Sequence, residues 1–147
     1  MESKTMHIAQ LFLRISLSVS FFSAVADRFG LWGNPGEPFV AWGNWENFLA
    51  YSASVNSFMP SQVLGILAVS ATALEIALPF FLLIGYKTRI AAATSGILLL
   101  MFGLAMTFGF SIKAPLDYSV FTASAGAFLL SCIKEYGLSL DKMRASE

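Results

Sequence analysis

The sequence predicts an all-α integral membrane protein: an antiparallel bundle of four transmembrane helices, with a short interfacial helix between the first and second and both termini cytoplasmic. Three observations lead there. The 147 residues are 56% hydrophobic and only 12% charged, and the mean hydropathy of +0.69 is too high for a water-soluble domain. Four segments, about 8–29, 62–86, 90–112 and 118–137, are apolar over roughly the 20 residues that a helix needs to cross a hydrocarbon core about 30 Å thick. The connections around Lys87 to Arg89 and Lys113 to Asp117 are short, so consecutive spans should be antiparallel neighbours within one membrane domain, 1–147.

The first span carries two polar stripes. Arg14 shares a face with Ser18, Phe21, Val25 and Arg28, while Ser16, Ser20, Ser23 and Asp27 form a second helical stripe. A helix polar on two sides belongs between neighbours. The short apolar run Ile15 to Phe22 and Ala24-Val25-Ala26 imitate a signal peptide with its cleavage site, but Arg14 lies too deep for the usual basic leader. The connection GLWGNPGEPFVAWGNWENFLAYSASVNSFMP follows, and its Gly and Pro residues break it into a turn and an amphipathic piece, about 39–59. Trp45, Phe48, Leu49 and Val55 fall on one face there. With Trp32, Trp42 and Tyr51 they should anchor the piece at headgroup level.

The second span holds Glu75 among small residues, Ala68, Ala71, Thr72 and Pro79, a surface suited to close helix contact. The third has a seam of Ala92, Gly96, Gly103 and Thr107, and the fourth offers Thr122, Ala123 and Gly126. Basic residues set the orientation: Lys4, Lys87, Arg89, Lys134, Lys142 and Arg144 flank one side, against Arg28 and Lys113 on the other. The positive side should be cytoplasmic.

Charges inside a spanning segment cost about 3 kcal/mol each on insertion scales and normally find a partner or a wet cavity. Glu75 and Arg14, entering from the same side, differ in depth by about 8 Å, so the expected pair, structural or ligand-binding, is Arg14 with Glu75. An outer cluster of Asp27, Arg28, Lys113, Asp117 and Tyr118 is expected beneath the aromatic segment, either as solvated helix ends or as a pocket for a ligand with one polar end, capped by Trp42, Trp45 and Tyr51.

Several classes of function are set aside. Equal numbers of basic and acidic residues leave no basic excess for nucleic acid. Gly85-Tyr86-Lys87-Thr88 lacks the upstream glycine and strand of a phosphate loop. One cysteine, Cys132, excludes an internal dithiol cycle and is read as a small packing residue; one histidine, His7, excludes two-histidine haem ligation within the chain. No metal site and no intrinsic cofactor are expected, so catalysis by the chain alone is not.

Arg14 near the start of the first span, the ending SAVADRFG, the Trp-rich segment, Glu75 in LEIALPFFLLIGYKTR, and KAPLDYSVF before the last span together resemble the DoxX/DoxD-like membrane proteins. The likeness runs over nearly the whole chain in dispersed single residues. It implies a four-helix prokaryotic inner-membrane protein, a subunit or anchor of a quinone-linked oxidoreductase, with relatives described as subunits of thiosulfate:quinone oxidoreductase. A quinone would then be the borrowed cofactor, and a redox subunit or a second copy of the chain the partner, alongside the lipid bilayer. Arg14, Glu75, Asp27, Arg28 and Asp117 carry over as structural or ligand-site positions. Two other functions stay open: binding or transport of a small solute or lipid, which needs a continuous polar path from Asp27 to Arg14, and a membrane scaffold whose buried charges only specify the fold.

Overall fold

A computed structural model describes residues 4–145 and is helical throughout, with no strand among the described residues. The elements are α1 (Lys4–Arg28), α2 (Trp45–Val55), α3 (Ser61–Ile84), α4 (Thr88–Gly109), α5 (Lys113–Asp117), α6 (Val120–Ser131) and α7 (Leu140–Ala145). Three of them, α1, α3 and α4, are long and apolar enough to cross a membrane. Arg144, counted in the basic flank, has its side chain outside the described part.

The expected fourth span, 118–137, differs. Ser119 adopts a left-handed backbone (φ 54°) and separates α5 from α6, and α6 stops at Ser131. Its 12 residues rise about 18 Å, short of a hydrocarbon core. Beyond Cys132 the chain leaves the helix where Lys134-Glu135-Tyr136-Gly137 interrupts the apolar run, and it folds back across the end of the bundle. Tyr136 donates its hydroxyl to Leu130 O at 3.0 Å there. Cys132 is exposed, not packed as expected. The helix α1 runs unbroken through Ala24 to Ala26 and ends at Arg28.

Packing follows the small-residue seams. Phe128 lies over Gly96 and Phe121 over Gly103, so that a Cβ on these glycines would come within 2.9 and 2.6 Å of the rings. Ser124 donates to Gly96 O across the same α4–α6 contact, at 2.8 Å. On α3 the buried face is Leu64, Ala68, Thr72, Glu75, Leu78, Pro79 and Leu82, a helical stripe that meets α1. The core shared by α1, α3, α4 and α6 contains Leu17, Phe21, Leu78, Leu82, Ala92 and Leu130. Opposite faces carry an apolar surface: Phe12 is 71% exposed, Ile66 68%, Phe108 79% and Leu129 67%. That much bare hydrocarbon on several helices is what a lipid-facing surface requires.

The helix α2 packs against α3 and α4 through Phe48 and Val55, both buried. Asn44 caps it by accepting the Asn47 N–H at 2.8 Å. Its C-terminal end rests on Gly109, where a Cβ would collide with the Val55 backbone. At the other end of the bundle, the start of α1 meets the chain after α6: Gln10 Nε2 donates to Glu135 O at 3.1 Å, and Asp141 N donates to Gly85 O at 2.9 Å. The start of α1, the α3–α4 turn and α7 therefore share one end.

Candidate functional site

Glu75 does not meet Arg14. Its carboxylate takes both terminal nitrogens of Arg28, Nη1 to Oε2 in a short ion pair and Nη2 to Oε1 at 2.9 Å. Nη1 also donates to the Thr72 hydroxyl at 2.7 Å, and that hydroxyl donates to Ala68 O at 2.8 Å. Side-chain exposure of the two ions is 3% each, so the pair is sealed, and two-toothed geometry is what makes a buried guanidinium–carboxylate contact worth keeping. The guanidinium carbon lies 3.9 Å from the Phe48 ring centroid and 5.3 Å from that of Trp42. These distances place the cation over aromatic faces. Arg28 Nε, buried, has no hydrogen-bond partner among the described residues.

Why Arg28 wins follows from the antiparallel register of α1 on α3. Arg14 lies opposite Leu82 and Ser18 opposite Pro79; Glu75 is about 10 Å further along α3. Arg28, at the end of α1, comes level with Thr72 and not with the start of α3 at Ser61. The Ser61–Ala71 stretch of α3 thus continues past the end of α1, and α2 leans on that stretch and roofs the pair. The sequence places Arg28 in the outer cluster beneath the aromatic segment, but depth counting does not bring Glu75 to that end or Phe48 over the guanidinium.

Arg14 is wholly buried, and every guanidinium nitrogen donates to a carbonyl: Nε to Leu82 O at 2.6 Å, Nη2 to Leu83 O at 2.9 Å, Nη1 to Gly137 O at 3.0 Å and Leu138 O at 3.3 Å. The last carbonyls of a helix have no partners within it and carry the negative end of its dipole. They lie at Arg14's own depth, nearer than Glu75. Gly85 (φ 68°) ends α3 in a left-handed turn, and a Cβ there would come 2.6 Å from Arg14 Nη2.

Asp27 is the second surprise. A carboxylate in the last turn of a helix faces the wrong end of the dipole and needs donors from elsewhere. It takes them from the loop: Ala41 N to Oδ2, and Trp42 N and Gly43 N to Oδ1, each at 2.8 Å. Gly43 (φ 69°) permits this, because a Cβ would come 2.6 Å from Pro35 N. Asp27 thereby fixes Trp42 over Arg28.

The expected outer cluster is divided. Lys113 and Asp117 form an exposed i,i+4 pair on α5, and neither bonds Asp27 or Arg28 among the described residues. Tyr118 is 77% exposed. Tyr51 lies between Trp42 and Phe110 in tilted contacts, with ring centroids at 5.6 and 5.8 Å; burial, with a smaller contribution from nearby Tyr118, pushes its hydroxyl pKa up. Trp45 stacks on Phe29 at 6.3 Å, and the exposed Trp32 donates its indole N–H to Ser23 O at 3.1 Å. Of the expected aromatic cap, Trp42 lines an open groove of about 460 Å³, together with Val19, Ser20, Ser23, Ala24, Asp27 and Ala41. The second polar stripe of α1 thus becomes one wall of that groove.

Phe48 and Thr72 were assigned packing roles by sequence reasoning and prove to touch the ion pair. The readable signal was Phe48 on the apolar face of a piece following Asp27-Arg28. The fold and site together describe an all-helical protein with three helices able to cross a membrane and a charged site closed by an aromatic roof. The chain matches no family model, and no curated protein or solved structure is significantly similar to it.

Proposed function

We propose that the chain is a multi-pass protein of the prokaryotic inner membrane, of DoxX type, that seats the head of a quinone for a partner redox subunit in the groove between α1 and Trp42. The observation that carries this reading is the groove itself. It opens on the outward side of α1, about 18–28 Å along the helix from Ile8, and combines hydroxyls with an indole face. Ser20 bonds back to Ser16 O at 2.9 Å and keeps its oxygen at the surface, and Ser23 stands one turn further out. A quinone carbonyl can accept from the Ser23 hydroxyl, the proton of Ser20 being already given to Ser16 O, while its ring lies against Trp42 and its tail follows the apolar face of Val19 into lipid. Asp27 and the Arg28–Glu75 pair stand behind the groove as a fixed electrostatic floor. Electrons come from the partner. Both termini are cytoplasmic in this reading, and the short α6, packed against α4, completes the fourth helix of the bundle without reaching across alone.

The buried residues between the two arginines favour this over a solute path. Leu17, Phe21 and Leu78 are apolar, and Ser18 is occupied by Arg14 O at 2.8 Å and Pro79 O at 3.3 Å.

Titration of the detergent-purified chain with a short-chain benzoquinone, followed by quenching of tryptophan fluorescence, tests the proposal. Saturable quenching is expected, weakened about fivefold in Ser23→Val through loss of one hydrogen bond and reduced in amplitude in Trp42→Phe. Quenching that is linear in quinone, or that both variants leave unchanged, removes the groove as a quinone seat.

A further inference from the structure

At the end of the bundle opposite the aromatic roof, a second groove of about 640 Å³ runs between the last turn of α3 and α7, lined by Ile84, Leu138, Ser139, Leu140, Lys142 and Met143. We propose that this groove is a seat for one anionic phospholipid, its phosphate on Lys142 and the upper part of its acyl chains on Ile84 and Leu138. The proposal rests on the membrane reading of the three long helices and is independent of the quinone groove.

Three observations support it. Apart from Ser139 and Lys142 the lining is apolar, with Leu138 81% exposed, Met143 66% and Ile84 50%. It sits where α3 ends, which on the membrane reading is the level where acyl chains give way to headgroups. Leu138 also holds a left-handed backbone (φ 48°), which is costly for a leucine. The conformation is fixed by Arg14, which takes the carbonyls on either side of that φ, at Gly137 and Leu138. The buried clasp thus presents an apolar side chain outward.

Charge selects the occupant. Lys142 is the one charged residue of the lining, and it has no ion pair among the described residues. The neighbouring acid, Asp141, is turned away and committed: its oxygens accept Lys87 N at 2.7 Å and Thr88 N at 2.8 Å at the start of α4. The groove therefore shows a net positive charge beside an apolar floor. Lys87 in the α3–α4 turn, Arg89 in the first turn of α4 and Lys134 after α6 outnumber the acids of this end, Glu135 and Asp141, and basic pockets at cytoplasmic helix ends suit anionic headgroups.

Native mass spectrometry of the detergent-purified chain, with phosphatidylglycerol and phosphatidylcholine of identical acyl chains, tests this. Phosphatidylglycerol should bind about fivefold more tightly, the preference expected of one lysine near a phosphate. It should fall to near parity in Lys142→Gln, persist in Lys142→Arg, and both lipids should weaken in Leu138→Ser. Inorganic phosphate should not compete at millimolar concentration. Equal binding of the two lipids, a preference retained in Lys142→Gln, displacement by inorganic phosphate, or no uptake of either lipid would each overturn the proposal.

Discussion

Arg28 and Arg14 show how differently one residue type behaves at two depths. Arg28 answers a carboxylate; Arg14 answers four carbonyls. Both are buried, and neither position could be told from the other by residue type. The polar stripe through Arg14, Ser18, Phe21 and Arg28 was legible from its spacing, and so was the need for Glu75 to have a partner. Which arginine it took was not, because that depends on the α1–α3 register and on how far α3 continues past Arg28. At the same scale Asp141 makes a pH prediction. Burial alone would raise its pKa, but the hydrogen bonds from Thr88 and Lys87 and the charge of Arg14 together bring it below the usual carboxylate value. A carboxyl whose folded pKa is depressed stabilises the fold above the unfolded value near 4, and that contribution fades as pH falls through the folded value. Asp141→Asn should therefore lose about 1 kcal/mol at neutral pH, because the amide keeps one acceptor oxygen for the two backbone donors and gives up one hydrogen bond. It should also flatten the loss of stability below about pH 4. Urea or SDS unfolding in micelles across pH 3–7 reads both effects, and parallel curves for the two proteins would refute them.

Helix identity and boundaries were largely legible. Three predicted spans match α1, α3 and α4 to within a few residues, because long apolar runs have little alternative. The last did not match: hydropathy alone extends the run from Tyr118 to Gly137, whereas Ser119 at positive φ and the Lys134-Glu135 break confine the helix to Val120–Ser131. The α4 seam was legible as small residues; its partners, Phe121 and Phe128, were not, since they are the large residues that small ones admit. Gly103→Ala should cost about 1–3 kcal/mol through overpacking against Phe121. Gly65→Ala, with nothing within 4 Å of the new Cβ, should be neutral or gain slightly from helix propensity. Thermal unfolding in detergent distinguishes the two, and equal melting temperatures would show that α6 does not pack on α4 as described.

At the scale of the molecule, the bundle is tied at both ends by different chemistry. The inner end, as proposed, is closed by the chain after α6, held by Arg14, Gln10 and Asp141. The outer end is closed by α2 and the Asp27-bound loop over Arg28 and Glu75. Between them the core is apolar apart from buried serines such as Ser18, Ser95 and Ser124, whose hydroxyls donate to backbone carbonyls. Replacing one member of the Arg28–Glu75 pair should cost about 3–5 kcal/mol by stranding a buried charge, and replacing both with apolar residues should cost less than either alone. Membership of one end or the other is thus an energetic property of Glu75, and two double-mutant cycles in detergent read it directly. Arg28→Met with Glu75→Leu should give a coupling of about 3 kcal/mol or more, since the double loss is smaller than either single loss, while Arg14→Met with Glu75→Leu should be additive within about 0.5 kcal/mol. Strong coupling of Glu75 to Arg14 with none to Arg28 would contradict the placement of the charge beneath the aromatic roof.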